Sequence, residues 1–491
     1  MPLVEEILPD EQAGFRPGRC TLDQVLNLTQ DIEDSFQNKL KTGAIFVDLT
    51  AAYDTIWHRG LALKLHQCIP SKHLIKMILE LICNRSFTLR LGDKKSRLRR
   101  LRNGLPQGSV LAPILFNIYT ADLPTTRSKK YVYADDICMA TSAKTLDELS
   151  YTLTEDMKEL GAYFQKWHLS LSVEKTVASA FHLNNRQANH TLNVSLGARI
   201  LDHEVNPTYL GITLDRSLTF RTHLEKLKKK ISTRVNLIRK VAGTKWGANT
   251  PTLRTSTLAL VYAPAEYCAP VWSASSHTPK LDVELNASMR LVSGTLRSTP
   301  TTSLPVLSHI SPPHIRREAL IAKTAWKALT DNKHLLHRAV KSDPQPTRLS
   351  SRSSFSSRAR PYLSDEAPAT RACRKTAAKQ ITIEKWTTEW KNGDNNIKDL
   401  RDPTEIPPGF NLPRKSWCRL NRLITGHGRT GHMLHKWNMT PTPACDCGAS
   451  DQTAKHIIEE CHMRKLDGGI TRLAECDPTA TQWLNDLDLD I

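Results

Sequence analysis

Three aspartates and one cysteine–histidine cluster are the residues whose types and spacing can do chemistry in this chain. Tyr131-Val132-Tyr133-Ala134-Asp135-Asp136-Ile137-Cys138-Met139-Ala140 reads as two short apolar strands joined at an acidic turn. Adjacent carboxylates at the tip of an apolar hairpin repel each other and lose hydration. A divalent cation offsets that cost, because hard cations take carboxylate oxygens; an ordinary Asp-Asp turn is the alternative. Upstream, Ala44-Ile45-Phe46-Val47-Asp48 is an apolar strand ending in an aspartate. Set beside the hairpin, Asp48 would bring three carboxylates to one point. That arrangement suits two magnesium ions about 3.5–4 Å apart, clamping the attacking and leaving oxygens of a phosphoryl transfer. Far downstream, Cys445, Cys447, His456 and Cys461 are spaced C-x-C-x8-H-x4-C. Three thiolates and one imidazole close the tetrahedral shell of a structural zinc and leave no position for a catalytic water. His462 and Cys476 are spare.

The elements that must hold these groups are legible around them. Asn103-Gly104-Leu105-Pro106-Gln107-Gly108-Ser109 is a glycine-bearing loop that lets backbone approach a ligand, and an apolar helical run through Ile114, Leu115 and Ile118 follows it. Helical spacing marks 61–90 as core-facing, and Leu146, Leu149, Leu153, Met157, Leu160 and Phe164 mark a helix over 145–168. Residues 92–102 form a basic strand or hairpin, either a solvated face or a phosphate contact. From 221 to 242, Leu224, Leu227, Ile231, Val235, Ile238 and Ala242 make one apolar stripe, with Lys226, Lys228, Lys229, Lys230, Arg234, Arg239 and Lys240 covering the remainder. Such a helix fits a nucleic-acid duplex or, alternatively, a membrane surface. A helical run continues over 250–300. Residues 341–372 are rich in Ser, Arg and Pro and read as a flexible linker, while Trp417 to Leu423 starts a basic helix.

Composition narrows the function classes. The chain has 491 residues, long enough for two or more domains. Its formal charge is +19, which points to a polyanionic partner, nucleic acid before an acidic membrane surface. No apolar run reaches spanning length and the first residues lack the pattern of a signal peptide. Eleven cysteines without a regular framework suit a reducing compartment, so an intracellular place, cytoplasm or nucleus, is expected.

In their order and spacing, the Asp48 strand, the Gln107-Gly108-Ser109 loop and the Asp135-Asp136 hairpin resemble the reverse transcriptases of non-LTR retrotransposons, the jockey-like group in particular. Gln12-Ala13-Gly14-Phe15-Arg16-Pro17-Gly18-Arg19-Cys20-Thr21, Leu169 to Thr176 and Tyr209-Leu210-Gly211-Ile212 extend the likeness. The resemblance implies a right-hand polymerase fold with an α+β palm, followed by a mostly helical C-terminal region carrying a small zinc knuckle. The expected division is fingers (partial) and palm over 1–220, thumb over 221–300, a helical connection and flexible linker over 301–372, and a basic C-terminal region over 373–491 with its knuckle at 445–461. Family members carry more fingers sequence before the Gly14 block, so the chain reads as an N-terminally truncated fragment.

Site roles follow from the same likeness. Asp48, Asp135 and Asp136 would bind two Mg2+ ions, and Lys175 would protonate the departing pyrophosphate. Tyr53 would lie under the sugar of the incoming nucleotide and exclude a 2′-hydroxyl, with Asp54 structural or solvated. Arg16 and Arg19 would face template phosphate or the nucleotide. Gln107, Gly108 and Ser109 would sit near the template base, and Tyr209, Leu210 and Gly211 would grip the primer end. The implied activity is RNA-directed DNA polymerisation, with RNA template, DNA primer, dNTPs and element RNA as partners, no membrane, and structural Zn2+ at Cys445, Cys447, His456 and Cys461. The rival expectations are a catalytically inactive remnant that only binds RNA or DNA, and a template-independent RNA polymerase or maturase-like partner. The sequence leaves template choice and oligomeric state open.

Overall fold

The computed structural model describes residues 2–491 except 245, 246, 343–347 and 365. The chain divides into two compact units. Unit 1 comprises Met1–His223, Pro270–Ala274 and Thr324–Ala367; unit 2 comprises Leu224–Ala269, Ser275–Lys323 and Pro368–Ile491.

Unit 1 is built on a five-stranded sheet. Its strands are β1 (Lys41–Val47), β2 (Lys129–Tyr133), β3 (Asp136–Ala143), β4 (Val177–Phe181) and β5 (Asp202–His203), in the order β5-β4-β1-β3-β2. The neighbours are antiparallel except β5 and β4. The central β1 is buried on both faces from Thr42 to Val47, which is why its sequence is a continuous apolar run rather than an alternation. Ile45 and Val47 join Ile137 and Met139 in the main core. That core is closed by α2 (His58–Cys68), α3 (Lys72–Ile82), α4 (Leu111–Tyr119) and α5 (Leu146–Lys166). Helix α5 starts where Thr145 Oγ1 accepts from the Glu148 N–H at 3.2 Å. Leu149, Leu153, Met157 and Leu160 on it are fully buried, each contributing about 2 kcal/mol of apolar burial. Helix α1 (Thr21–Gln37) contacts β1 and β2, burying Val25, Leu28, Ile32 and Phe36.

Three sequence expectations change here. The helical stretch expected over 61–90 is two helices, α2 and α3, followed from Ser86 by an exposed two-stranded basic hairpin. Its core-facing side also carries a buried lysine. Lys64 Nζ donates to Asp122 Oδ1 at 2.5 Å and to the Tyr163 hydroxyl at 2.7 Å, and lies 3.8 Å from the Trp167 ring centre. Burial lowers its pKa to about 8.

The third change concerns the segment read as a flexible linker. Its residues 343–347 and 365 lie outside the described residues. The rest of it runs along α1. Arg352 pairs with Glu33, Arg348 donates to the Gln37 carbonyl at 3.0 Å, and the Ser356 N–H donates to Gln30 at 3.1 Å. Phe355 is buried, and Arg358 donates to the Pro270 carbonyl at 2.7 Å. Arginines of a stretch that reads as a flexible linker act as anchors because carbonyl and carboxylate acceptors of unit 1 face them.

Unit 2 is helical. Within it α6 (Arg221–Val241) runs on from His223, and it also holds α7 (Thr278–Ser293), the first part of α8 (Pro313–Thr330), α9 (Arg371–Asn392) and α10 (Arg414–Ile424). The stripe Leu224, Leu227, Ile231, Val235, Ile238 and Ala242 is buried as its spacing predicts. A second core gathers Trp386, Trp390, Phe410, Trp417, Leu420, Ile457 and Leu473. Helix α10 is basic, but of its four cations only Lys415 is exposed; Arg414, Arg419 and Arg422 are buried. Arg414 donates to the carbonyls of Leu291 and Val292, Arg422 to Gly294, and Asn421 to Ser293, so they satisfy the unpaired carbonyl end of α7. Arg419 donates to the Leu484 and Leu489 carbonyls. Among the described residues no helix is long and apolar enough to cross a membrane.

Candidate active site and metal cluster

The register of the sheet brings the three aspartates together. Val47 of β1 pairs with Ile137 of β3, so Asp48, the next residue, leaves β1 beside Asp136. Tyr133 pairs with Asp136 across the hairpin, which places Asp135 in the two-residue turn. Among the described residues none of the three carboxylates has a cationic partner. The pKa of Asp136 is pushed up to about 6, by burial first and then by the charges of Asp135 and Asp48. An uncompensated acidic cluster of this kind fits divalent cations, which the same oxygens would hold.

Asp48 and Asp135 are positioned by the backbone around them. The Asp48 N–H donates to Thr176 Oγ1 at 3.2 Å, and the Ser172 N–H donates to the Asp48 carbonyl at 2.9 Å. The block from Leu169 to Thr176 is therefore the clamp on the end of β1. Lys175, exposed, sits beside Thr176 in that clamp. Asp135 is held through the residue before it. Ala134 adopts a left-handed conformation at φ 58°, and its N–H donates to Gln12 Oε1 at 2.9 Å. The same oxygen accepts the Gly14 N–H at 2.7 Å. A Cβ on Gly14 would lie 2.3 Å from the Ala134 nitrogen, so only glycine permits this approach. Asn117 donates to the Gly14 carbonyl at 2.7 Å.

Gln12 thus positions the acidic turn, a role its residue type alone did not signal; its place at the head of the Gly14 block was the available hint. Gln12→Ala should lower kcat for primer extension about tenfold, the worth of one or two buried hydrogen bonds, with the melting temperature measured alongside. Unchanged kcat would remove the role.

Tyr53 is stacked on Phe116 with ring centres 4.7 Å apart and planes at 15°. Its phenol is raised to about 12 by burial and then by the charge of Asp135. Its hydroxyl is buried without a hydrogen-bond partner among the described residues, so the ring volume, not the oxygen, is what the position uses. The Leu105 N–H donates to the Tyr53 carbonyl at 2.7 Å, and Gln107 Nε2 donates to both Asp54 carboxylate oxygens at 3.0 and 3.1 Å. The loop of Gln107, Gly108 and Ser109 is therefore tied to the segment that follows Asp48. Asp54, expected to be structural or solvated, is exposed and holds the Gln107 amide.

Two other site expectations fare differently. Arg16 is buried, with its guanidinium spent on Glu5 at 2.7 Å and on the carbonyls of Pro9 and Gln12 at 2.6 and 2.9 Å. Those bonds fold the loop that presents Gln12 and leave no free fork for a phosphate. Arg19 donates to the Lys333 carbonyl and lies 3.8 Å from Asp10. Tyr209 is buried too. Its hydroxyl donates to the Tyr131 carbonyl at 3.0 Å and its ring lies 5.9 Å from that of Phe46, which roots the hairpin on the sheet. Leu210 and Gly211, at φ 46° and 80°, form its tight turn.

In unit 2 the donor atoms of Cys445, Cys447, His456 and Cys461 all lie within 4.8 Å of one another. Tetrahedral zinc–thiolate geometry sets sulfurs about 3.8 Å apart, so the four fit a zinc ion. Around them Gln452 donates to the Cys445 sulfur at 3.4 Å and Arg464 approaches it at 3.8 Å. Arg464 also pairs with Asp446 and Asp488. The cluster pattern was legible in sequence; these outer partners were not, since nothing local marks a lone Arg or Gln as a thiolate donor.

The family model described as reverse transcriptase (RNA-dependent DNA polymerase) matches residues 1–214. The chain is 34% identical over 302 residues to a "Probable RNA-directed DNA polymerase from transposon BS" of Drosophila melanogaster, covering 58% of this chain and 33% of that protein. It is 30% identical over 244 residues to "RNA-directed DNA polymerase from mobile element jockey" of the same species, covering 47% and 26%. Across 96% of this chain and 45% of the relative it is 26% identical to a 115 kDa protein in the type-1 retrotransposable element R1DM of Drosophila melanogaster. The chain spans less than half the length of these curated relatives.

Proposed function

We propose that this chain, which carries a reverse transcriptase domain of the jockey-like non-LTR retrotransposon kind, extends a DNA primer on an RNA template with deoxynucleotides. The observation that carries the reading is the meeting of Asp48, Asp135 and Asp136 at one end of the sheet, where burial first and then the charges of Asp135 and Asp48 raise Asp136 to about 6. These oxygens would hold two magnesium ions, which when bound would lower the pKa of the primer 3′-hydroxyl and neutralise the departing pyrophosphate.

The other roles belong to the chain's own groups. Lys175 would deliver a proton to the leaving pyrophosphate. The loop of Gln107, Gly108 and Ser109 would support the template base, and the turn at Leu210 and Gly211, rooted by Tyr209, would steady the primer end. The exposed lysines of α6 would contact duplex phosphates without reading sequence. Cys445, Cys447, His456 and Cys461 would hold a structural zinc.

The test is primer extension on an RNA template with dNTPs and magnesium. Template-dependent extension is expected; tight, salt-sensitive RNA binding without extension would replace this reading with that of a binding remnant.

Sugar choice has its own test. The ring of Tyr53, fixed by Phe116, would fill the space a 2′-hydroxyl needs. Tyr53→Val should raise ribonucleotide incorporation at least about tenfold relative to deoxynucleotide, a difference of about 1.4 kcal/mol in selectivity. Tyr53→Phe should change nothing, because the hydroxyl has no partner. Equal selectivity in the Val variant would discard the gate.

A further inference from the structure

A second basic site lies wholly within unit 2 and shares no residue with the polymerase site or the zinc cluster. It is a cavity of about 530 Å³ whose lining includes Arg254, Arg316, Lys323, Lys375 and Lys379. One carboxylate, Glu266, is among the lining residues, and both its oxygens are engaged by Arg316. Arg254 spends one N–H on the His309 carbonyl at 2.8 Å. The positive field this leaves is felt inside the cavity. The pKa of His309 is lowered by burial, then by Arg254, and that of Arg254 by burial, then by Arg316. His309 Nδ1 is buried without a hydrogen-bond partner among the described residues.

The cavity continues onto an exposed surface. Arg371, Lys375 and Lys379 on α9 are four residues apart, so they share one helix face and form a row about 12 Å long. All three are exposed, and the first acidic residue of this helix is Glu384. Cations in the first turns of a helix oppose its macrodipole, so helix stability does not account for them. Added to the positive helix end they create a site for negative charge. A lone phosphate could meet only one or two cations of a row this long. A chain of phosphates can meet all of them and end in the cavity.

We infer that α9 and the cavity beneath it bind the phosphodiester backbone of a single-stranded RNA, with Arg371, Lys375, Lys379 and Lys323 contacting successive phosphates. This surface is independent of the polymerase reading, since a chain that fails to extend a primer would still bind RNA here.

The test uses the full chain with Lys375→Glu and Lys379→Glu together, and Lys375→Arg with Lys379→Arg as the control that keeps the charge. Binding of an unprimed single-stranded RNA oligonucleotide is measured by fluorescence anisotropy over a salt series. Crosslinks of the same RNA carrying 4-thiouridine are mapped by mass spectrometry. The Glu pair should weaken binding about tenfold or more, lower the salt slope by about 1.4 for two lost phosphate contacts, and abolish crosslinks to residues 371–386. The Arg pair should restore all three. Primer extension at saturating template and primer should be unchanged in both variants. Unchanged affinity, slope and crosslinks in the Glu pair would overturn the inference. So would complete loss of crosslinks to 371–386 in competition with inorganic tripolyphosphate while RNA affinity holds, which would mark a site for free anions only.

Discussion

Asp135→Asn should abolish primer extension, lowering kcat by at least about 10³-fold, while leaving the fold intact. The substitution keeps the shape of the side chain and the Gln12–Ala134 bonds that set the turn. What it removes is one negative charge from a cluster whose purpose in this reading is to hold cations, so the loss falls on the transition state rather than on the structure. Stability should be unchanged or higher, because Asp135 is a charge that Asp136 is raised against. The check is single-nucleotide extension kinetics run beside thermal unfolding of the protein without added magnesium. Activity within tenfold of the unsubstituted chain, with the same melting temperature, would show that the acidic turn is not the metal site.

The second large effect is expected at the cysteine cluster. Cys461→Ser should remove one bound zinc per chain and unfold the segment around residues 440–466. Cys461 is fully buried, and its N–H and the neighbouring backbone bonds close the turn that carries His456. Zinc binding supplies about 10–16 kcal/mol of folding free energy in small Cys/His modules, more than the burial of Ala454, Ile457, Ile458 and Leu466 in this segment provides at about 1–3 kcal/mol each. Metal content by elemental analysis and protease cleavage within 440–466 read the two effects. Arg464→Met should keep the zinc but weaken its binding about 10–100-fold, because the arginine donates to Cys445 and is itself fixed by Asp446 and Asp488. A Cys461→Ser protein with a full complement of zinc would mean a different ligand set.

The candidate site residues could be picked out in the sequence because their signals are local. Asp48 ends an apolar strand, Asp135 and Asp136 sit at a turn between two such strands, and the cysteines and histidine have ligand spacing. The buried stripe of α6 followed from its periodicity for the same reason. What the sequence could not determine was where charge would go. Arg16 reads as facing template phosphate or the nucleotide, Trp417 to Leu423 only as the start of a basic helix, and the linker arginines only as part of a flexible segment. In the fold each of Arg414, Arg419 and Arg422 donates to carbonyls more than 60 residues away, and Arg348 to one more than 300 away. Gln12 meets Ala134 across 122 residues. A charge or amide is visible in the chain, but whether it faces water, a phosphate or an orphan carbonyl depends on which surface packs against it, and only the tertiary structure decides that.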